Sequence, residues 1–255
     1  MNPFGYLGSF VLNLLNTLGG LSTMLWDALR WTVRPPFRFK LILEQMESIG
    51  VKSVPVVIFT GMFTGMVFGY QCYFGFHYFG AEYMTGMVVA LAMARELGPV
   101  LSAIMVTARC GSAMTAELGT MRVTEQIDAL YSLAVEPLQY LISPRIIASV
   151  LIMPVLNLIT VTFGIVGGYV VVVKWLGVNS TIFLENISYY VGLDDYLNGT
   201  VKALVFGLIL SVVGCYKGYY VSGGALGVGQ ATTQSVVLSC ILILLFDYII
   251  TALLF

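Results

Sequence analysis

"SVPVVIFTGMFTGMVFGYQCYFGFH", residues 53–77, runs for 25 positions without one Asp, Glu, Lys or Arg. Coiled as an α-helix at about 1.5 Å per residue, it is longer than the roughly 30 Å hydrocarbon core of a bilayer. It shows none of the alternation of a barrel strand. The rest of the chain repeats the pattern. Of 255 residues, 58% are hydrophobic and 10% charged, against roughly 25% charged in soluble domains, and the mean hydropathy is +0.91. Further spans fall at about 85–111, 146–173, 200–221 and 233–254. The chain reads as an all-α integral membrane protein with five transmembrane helices.

Five crossings put the two ends of the chain on opposite sides, and Lys/Arg placement says which side is cytoplasmic. Arg30, Arg34, Arg38, Lys40 and Lys52 precede the first span. Arg109, Arg122 and Arg145 surround the second-to-third connection, and Lys217 lies near the fourth-to-fifth. The long connection at 175–199 carries Glu185, Asp194 and Asp195 and no basic residue. The N-terminus is therefore expected in the cytoplasm, and the C-terminus and the 175–199 connection outside. Net charge is −1, because opposite asymmetries cancel, and no nucleic-acid partner is expected.

Residues 1–52 read as an interfacial helix and elbow ahead of a five-span domain at 53–255. Residues 2–33 are apolar but interrupted by Gly19 and Gly20, and end in Trp26, Trp31 and the basic run at 30–40. Tryptophan at headgroup depth and arginine toward anionic lipid suit a helix lying in the interface. A sixth crossing is the rival, and would carry five basic residues across. A cleaved signal peptide fits poorly, since the basic residues follow the apolar stretch.

Enzyme signatures are missing. There is no H-E-x-x-H, His77 is the one histidine, and Asp247 is the sole aspartate well inside a span, so no catalytic residue is assigned. Cys72, Cys110, Cys215 and Cys240 have no C-x-x-C spacing, and no metal site is expected. The glycine-rich "SGGALGVGQATTQ" at 222–234 lacks the lysine of a phosphate-binding loop. Any ATP must be bound by another chain.

Two features inside the spans carry more information. Gly61, Gly65 and Gly69 recur every four residues on one helix face, which suits either close helix packing or the smooth wall of a lipid-sized cavity lined by Met62, Met66, Phe63 and Tyr70. Arg95 and Glu96 stand roughly 15 Å from the outer end of the second span, where each charge costs on the order of 2.5–3.5 kcal/mol without a partner. Neighbouring residues point about 100° apart, so each needs its own partner. Asp247, at a matching depth in the fifth span, is the expected partner of Arg95, and Lys202 that of Glu96 by snorkelling. Such charges serve either a structural network or substrate passage. Gly98 and Pro99 permit a kink beside them.

Charge is otherwise concentrated in "AELGTMRVTEQIDAL", residues 116–130, with Glu117, Arg122, Glu125 and Asp128. Read as a helix capped by Thr124 and separated from the second span at Gly119, it sets an apolar stripe of Val123, Ile127, Leu130 and Ala134 against an acidic face. That face is either solvated or a docking surface.

"ARELGPVLSAIMVTARCGSAMTAELGTMRVTEQIDALYSLAVEPLQYLISPR" (94–145) resembles the signature region of the MlaE/YrbE permeases, membrane subunits of ABC transporters that maintain bacterial outer-membrane lipid asymmetry. "GGALGVGQATTQSVV" (223–237) resembles the family's second signature. The resemblance implies a homodimer with an interfacial N-terminal helix and five spans per subunit. It also implies that the segment at about 117–133 is a coupling helix docked on a cytoplasmic ABC ATPase that binds ATP and Mg. A STAS-domain subunit would bind that ATPase, and a periplasmic MCE-domain hexamer would sit above the permease and exchange phospholipid with it. A related importer of sterols or fatty acids and an ATP-independent transporter or channel are the alternatives.

Single cysteines placed in 175–199 should react with an impermeant reagent from outside, and those in 117–140 only from inside. Labelling of both from one side would overturn the five-span topology.

Overall fold

The computed structural model of the chain describes residues 3–32 and 38–254; residues 1, 2, 33–37 and 255, Arg34 among them, lie outside that description. All regular structure among the described residues is helical. Among the described residues, five helices are long and apolar enough to cross a membrane: Phe39–His77, Glu82–Val123, Leu138–Trp175, Leu193–Tyr219 and Gly224–Leu254. They are called the first to fifth spans below. An amino-terminal helix, Pro3–Thr32, precedes them.

Most spans are longer than their apolar cores. The first begins with an amphipathic piece, Phe39–Ile49, joined through Gly50 and a 3₁₀ turn at Val51–Ser53 to the apolar Val54–His77. Arg109 pins this joint from the second span, its Nη1 donating to the Ser48 carbonyl at 3.2 Å and to Ser53 Oγ at 2.8 Å. The amino-terminal helix buries Leu21, Met24 and Ala28 in the main core, and Ser143 at the head of the third span donates to its Ala28 carbonyl at 3.0 Å. Between the third and fourth spans, Ser180–Tyr190 forms a helix capped by Asn179, whose side chain accepts from the Thr181 amide. Phe183 of that helix is buried against Gly86.

The glycine face of the first span lies against the third span. A Cβ on Gly61 would run into the Thr160 carbonyl, one on Gly65 into the Gly164 carbonyl, and one on Gly69 would press on Val172 and Gly168. Gly167 in turn admits the Met62 backbone. All four glycines are buried. Of the two readings of this motif the geometry selects helix packing: missing side chains let two backbones approach, and dispersion over the whole seam replaces the hydrophobic force that lipid cannot supply.

The fourth span sits deepest. It packs Gly199 on the Ala94 carbonyl and Gly218 on the Thr115 carbonyl of the second span, while Thr115 Oγ1 donates to the Gly214 carbonyl at 3.0 Å. The first and fifth spans flank this centre and expose apolar faces, through Phe59, Phe63 and Val67 on one and Ile241, Leu244 and Tyr248 on the other.

The charged stretch departs from its expected form. The second span continues as helix through Gly119, which packs on Val228 and Val221, and ends only at Val123. Thr124 closes that helix, donating from Oγ1 to the Thr120 carbonyl at 2.8 Å, and does not cap the next. Glu125 then takes the left-handed conformation, φ 60°, and a separate short helix runs from Gln126 to Ser132. Gly119 fails as a breaker because a glycine within a packed helix is held by its neighbours. The reversal falls where the chain leaves that packing.

Substituting Gly65 by Ala should lower stability in detergent-micelle unfolding by about 1–3 kcal/mol, the usual cost of overpacking. Gly75→Ala, where a Cβ meets nothing within 4 Å, is the control and should leave the midpoint unchanged.

Candidate functional site

The second span departs from α-helical winding over Met93–Leu97, where one wide π-helical turn carries Arg95 and Glu96. Pro99, two residues beyond this turn, has no N–H to offer the preceding turn. The looser winding aims the two charges at different neighbours. Arg95 reaches Asp195 at the start of the fourth span, with Nε and Nη2 both 2.6 Å from Oδ1. The other carboxylate oxygen of Asp195 accepts the Gly192 amide at 2.8 Å.

Glu96 faces a buried cation. Lys202, on the fourth span and 0% exposed, places Nζ 2.5 Å from Glu96 Oε2, 2.9 Å from Asp247 Oδ1 and 2.7 Å from Thr251 Oγ1. Thr251 is also 3.2 Å from Glu96 Oε1 and donates to the Asp247 carbonyl. Three spans thus converge on one ammonium group. Three carboxylates, Glu96, Asp195 and Asp247, meet two cations, Arg95 and Lys202.

The expected Glu96–Lys202 pair is present. The expected Arg95–Asp247 pair is not: Lys202 lies against Asp247, and Arg95 turns to Asp195. Depth counted along straight helices ignored the π-helical turn and left Asp195 in the connection. Asp195 stands seven residues before Lys202, two turns along the same helix face, and Thr251 four after Asp247; both spacings were available in the sequence.

Beside this cluster, Phe63, Thr64, Val67, Phe68 and Gln71 of the first span and Leu97 of the second wall an open recess of about 400 Å³. It is lined by a different face from Gly61, Gly65 and Gly69, whose small surfaces are taken up by the third span. Met62 and Met66 are half-buried and Tyr70 is 48% exposed. The wall is aromatic and branched instead of glycine-smooth.

At the basic end, the charges of the 116–130 stretch are largely paired within the chain. Glu117 takes Arg145 at 3.0 Å and Asp128 takes Arg122 at 2.8 Å, the second pair closing the reversal at Glu125. Glu125 itself is exposed. Ile127 is fully buried and Leu130 packs on the same core, as their stripe requires, whereas Val123 is 42% exposed and Ala134 has left the helix with φ 57°. The short helix and the residues flanking it therefore present Glu125 together with exposed Val123, Tyr131 and Leu133. Tyr131 also shares a 2.8 Å hydroxyl contact with Tyr219 at the end of the fourth span.

The family described as Permease MlaE matches residues 42–253. A probable ABC transporter permease protein of Rickettsia felis is 45% identical over 255 residues, all of this chain and 98% of that protein. The intermembrane phospholipid transport system permease protein MlaE of Haemophilus influenzae is 39% identical over 256 aligned positions, covering 100% of this chain and 98% of the other. The chloroplastic protein trigalactosyldiacylglycerol 1 of Arabidopsis thaliana is 39% identical over 213 residues, 84% of this chain and 61% of that one.

Replacing Lys202 by Met leaves Glu96 and Asp247 facing each other, and should cost at least about 3 kcal/mol of stability. Adding Glu96→Gln and Asp247→Asn to Lys202→Met should recover most of it. In double-mutant cycles, Arg95 should couple to Asp195 and show no coupling to Asp247.

Proposed function

Because the chain belongs to the MlaE permease family and folds as a multi-pass membrane protein, we propose that it is the phospholipid-handling permease subunit of an ABC transporter. The observation that carries this reading is the end-to-end likeness to a permease named for intermembrane phospholipid transport. The geometry supports it with an apolar recess beside a buried charge cluster at one end of the spans and an exposed short helix at the other. Lipid tails fit the first, and a soluble motor fits the second.

In this reading two copies form a homodimer, with the basic end cytoplasmic and the C-terminus periplasmic in a bacterial inner membrane. A separate ATPase subunit binds ATP and Mg and carries a STAS-domain subunit. A periplasmic MCE-domain hexamer exchanges phospholipid with the outer end of the spans. The ATPase docks on the short helix. Glu125 supplies its charge and Leu133 and Tyr131 its apolar contact, because Glu117 and Asp128 are already neutralised within the chain. ATP-driven movement of that helix reaches the membrane through Ile127, buried in the core, and through the Tyr131–Tyr219 contact.

Native extraction of the complex, with mass spectrometry of both its proteins and its lipids, tests the whole reading. Recovery of an ATPase subunit with phospholipid supports it; sterol or fatty acid in place of phospholipid, or no ATPase, overturns it. Within the complex, Leu133→Asp should reduce ATPase retention about tenfold or more, the loss of roughly 1.4 kcal/mol expected for one apolar anchor. Ile127→Asn should leave assembly intact while uncoupling ATP hydrolysis from lipid movement.

A further inference from the structure

Two recesses meet at Gln230 and Gln234, near the start of the fifth span. One, about 330 Å³, is walled by Thr17 of the amino-terminal helix, Tyr216, Lys217 and Tyr220 at the end of the fourth span, and Ser222 in the turn that follows. The other, about 560 Å³, opens over Ala225, Leu226 and Gly229. The first offers hydroxyls, amides and one cation; the second, a face of the fifth span that also carries Thr233, offers mainly hydrocarbon.

Lys217 is the charge that decides the ligand. Its Nζ donates to the neutral Gln234 Oε1 at 3.2 Å, and among the described residues it makes no ion pair. Lys217 stands two residues before the fourth span ends, and the fifth begins at Gly224. Both recesses therefore lie where headgroups meet hydrocarbon. A cation ringed by hydroxyls and amides, continuous with an apolar groove at that depth, matches an amphiphile with an anionic head.

We propose that the joined recesses bind one anionic phospholipid per chain, its phosphate on Lys217 and an acyl chain along Leu226 and Gly229. This site stands at the opposite end of the spans from the Glu96–Lys202 cluster and does not depend on what the protein transports. The bound lipid ties three elements together. Thr17 forms one wall, and Gly20, one turn further on, lets the amino-terminal helix rest directly on Tyr216, so the lipid clamps that helix to the fourth and fifth spans.

The test is native mass spectrometry of the purified protein in non-ionic detergent, titrated with dioleoyl phosphatidylglycerol, dioleoyl phosphatidylcholine or inorganic phosphate. One phosphatidylglycerol should bind per chain in preference to phosphatidylcholine. Lys217→Gln should weaken it about fivefold, the worth of one surface cation, and Lys217→Arg should retain it. Gly229→Leu, at a position where a Cβ meets nothing within 4 Å, should weaken it by filling the groove while the fold persists. Equal binding of the two lipids, or phosphatidylglycerol retention unchanged in Lys217→Gln, overturns the headgroup assignment. Displacement by equimolar inorganic phosphate would assign the pocket to a free anion and overturn the lipid. If Gly229→Leu alters the oligomeric state and leaves lipid retention unchanged, the groove belongs to a second copy and the proposal fails.

Discussion

A single ammonium group, that of Lys202, sets the terms for the rest of the molecule. An unpaired charge at this depth cannot be tolerated in hydrocarbon, so the fourth span must be enclosed, and the carboxylates that neutralise Lys202 come from the second and fifth spans. Each of those carboxylates would be equally costly alone. The pairing is therefore a constraint on which helices are neighbours and at what height, more than a net source of stability. Arg95 and Asp195 repeat the arrangement one partner further out, between the second span and the first turn of the fourth.

The remaining packing follows from the absence of side chains. Where no charge fixes the height, small residues do: the first span rides on the third through three glycines, and the fourth on the second through Gly199, Gly214 and Gly218. Close approach brings backbone carbonyls and hydroxyls within bonding distance, as at Thr115 and Gly214. The result is a rigid centre of second, third and fourth spans with the first and fifth carrying the apolar surface outward.

The number of spans was plain in the sequence because each is an uncharged run of sufficient length, and so was the Glu96–Lys202 pair, since a charge in hydrocarbon demands one. What escaped notice has physical causes. The first span's opening piece carries Lys40, Glu44 and Glu47 on its wet side, and an apolar window cannot see it. The two readings of the Gly61–Gly69 face are identical in sequence, because a glycine serves a neighbouring backbone and an open cavity alike. The break after Val123 rests on Glu125, a residue type with no preference for the left-handed region, whereas Gly119 carries the composition of a breaker and none of the freedom. The family likeness was legible from residues 94–145 and 223–237, and the match over residues 42–253 shows it.

The wide turn at Met93–Leu97 has a consequence for how this chain can vary. A π-helical turn holds one residue more than an α-helical one, so it shifts the rotational phase of everything beyond it by about 100°. The segment from Gly98 to Val123 takes its register from that extra residue and from a second π-helical turn at Thr107–Gly111, which together set Arg109 on the first span's joint, Thr115 on Gly214 and Glu117 on Arg145. Losing any one residue from this turn would leave composition, hydropathy and length nearly unchanged and yet rotate these interhelical contacts out of phase. Along the second span, the number of residues is therefore constrained as well as their hydropathy.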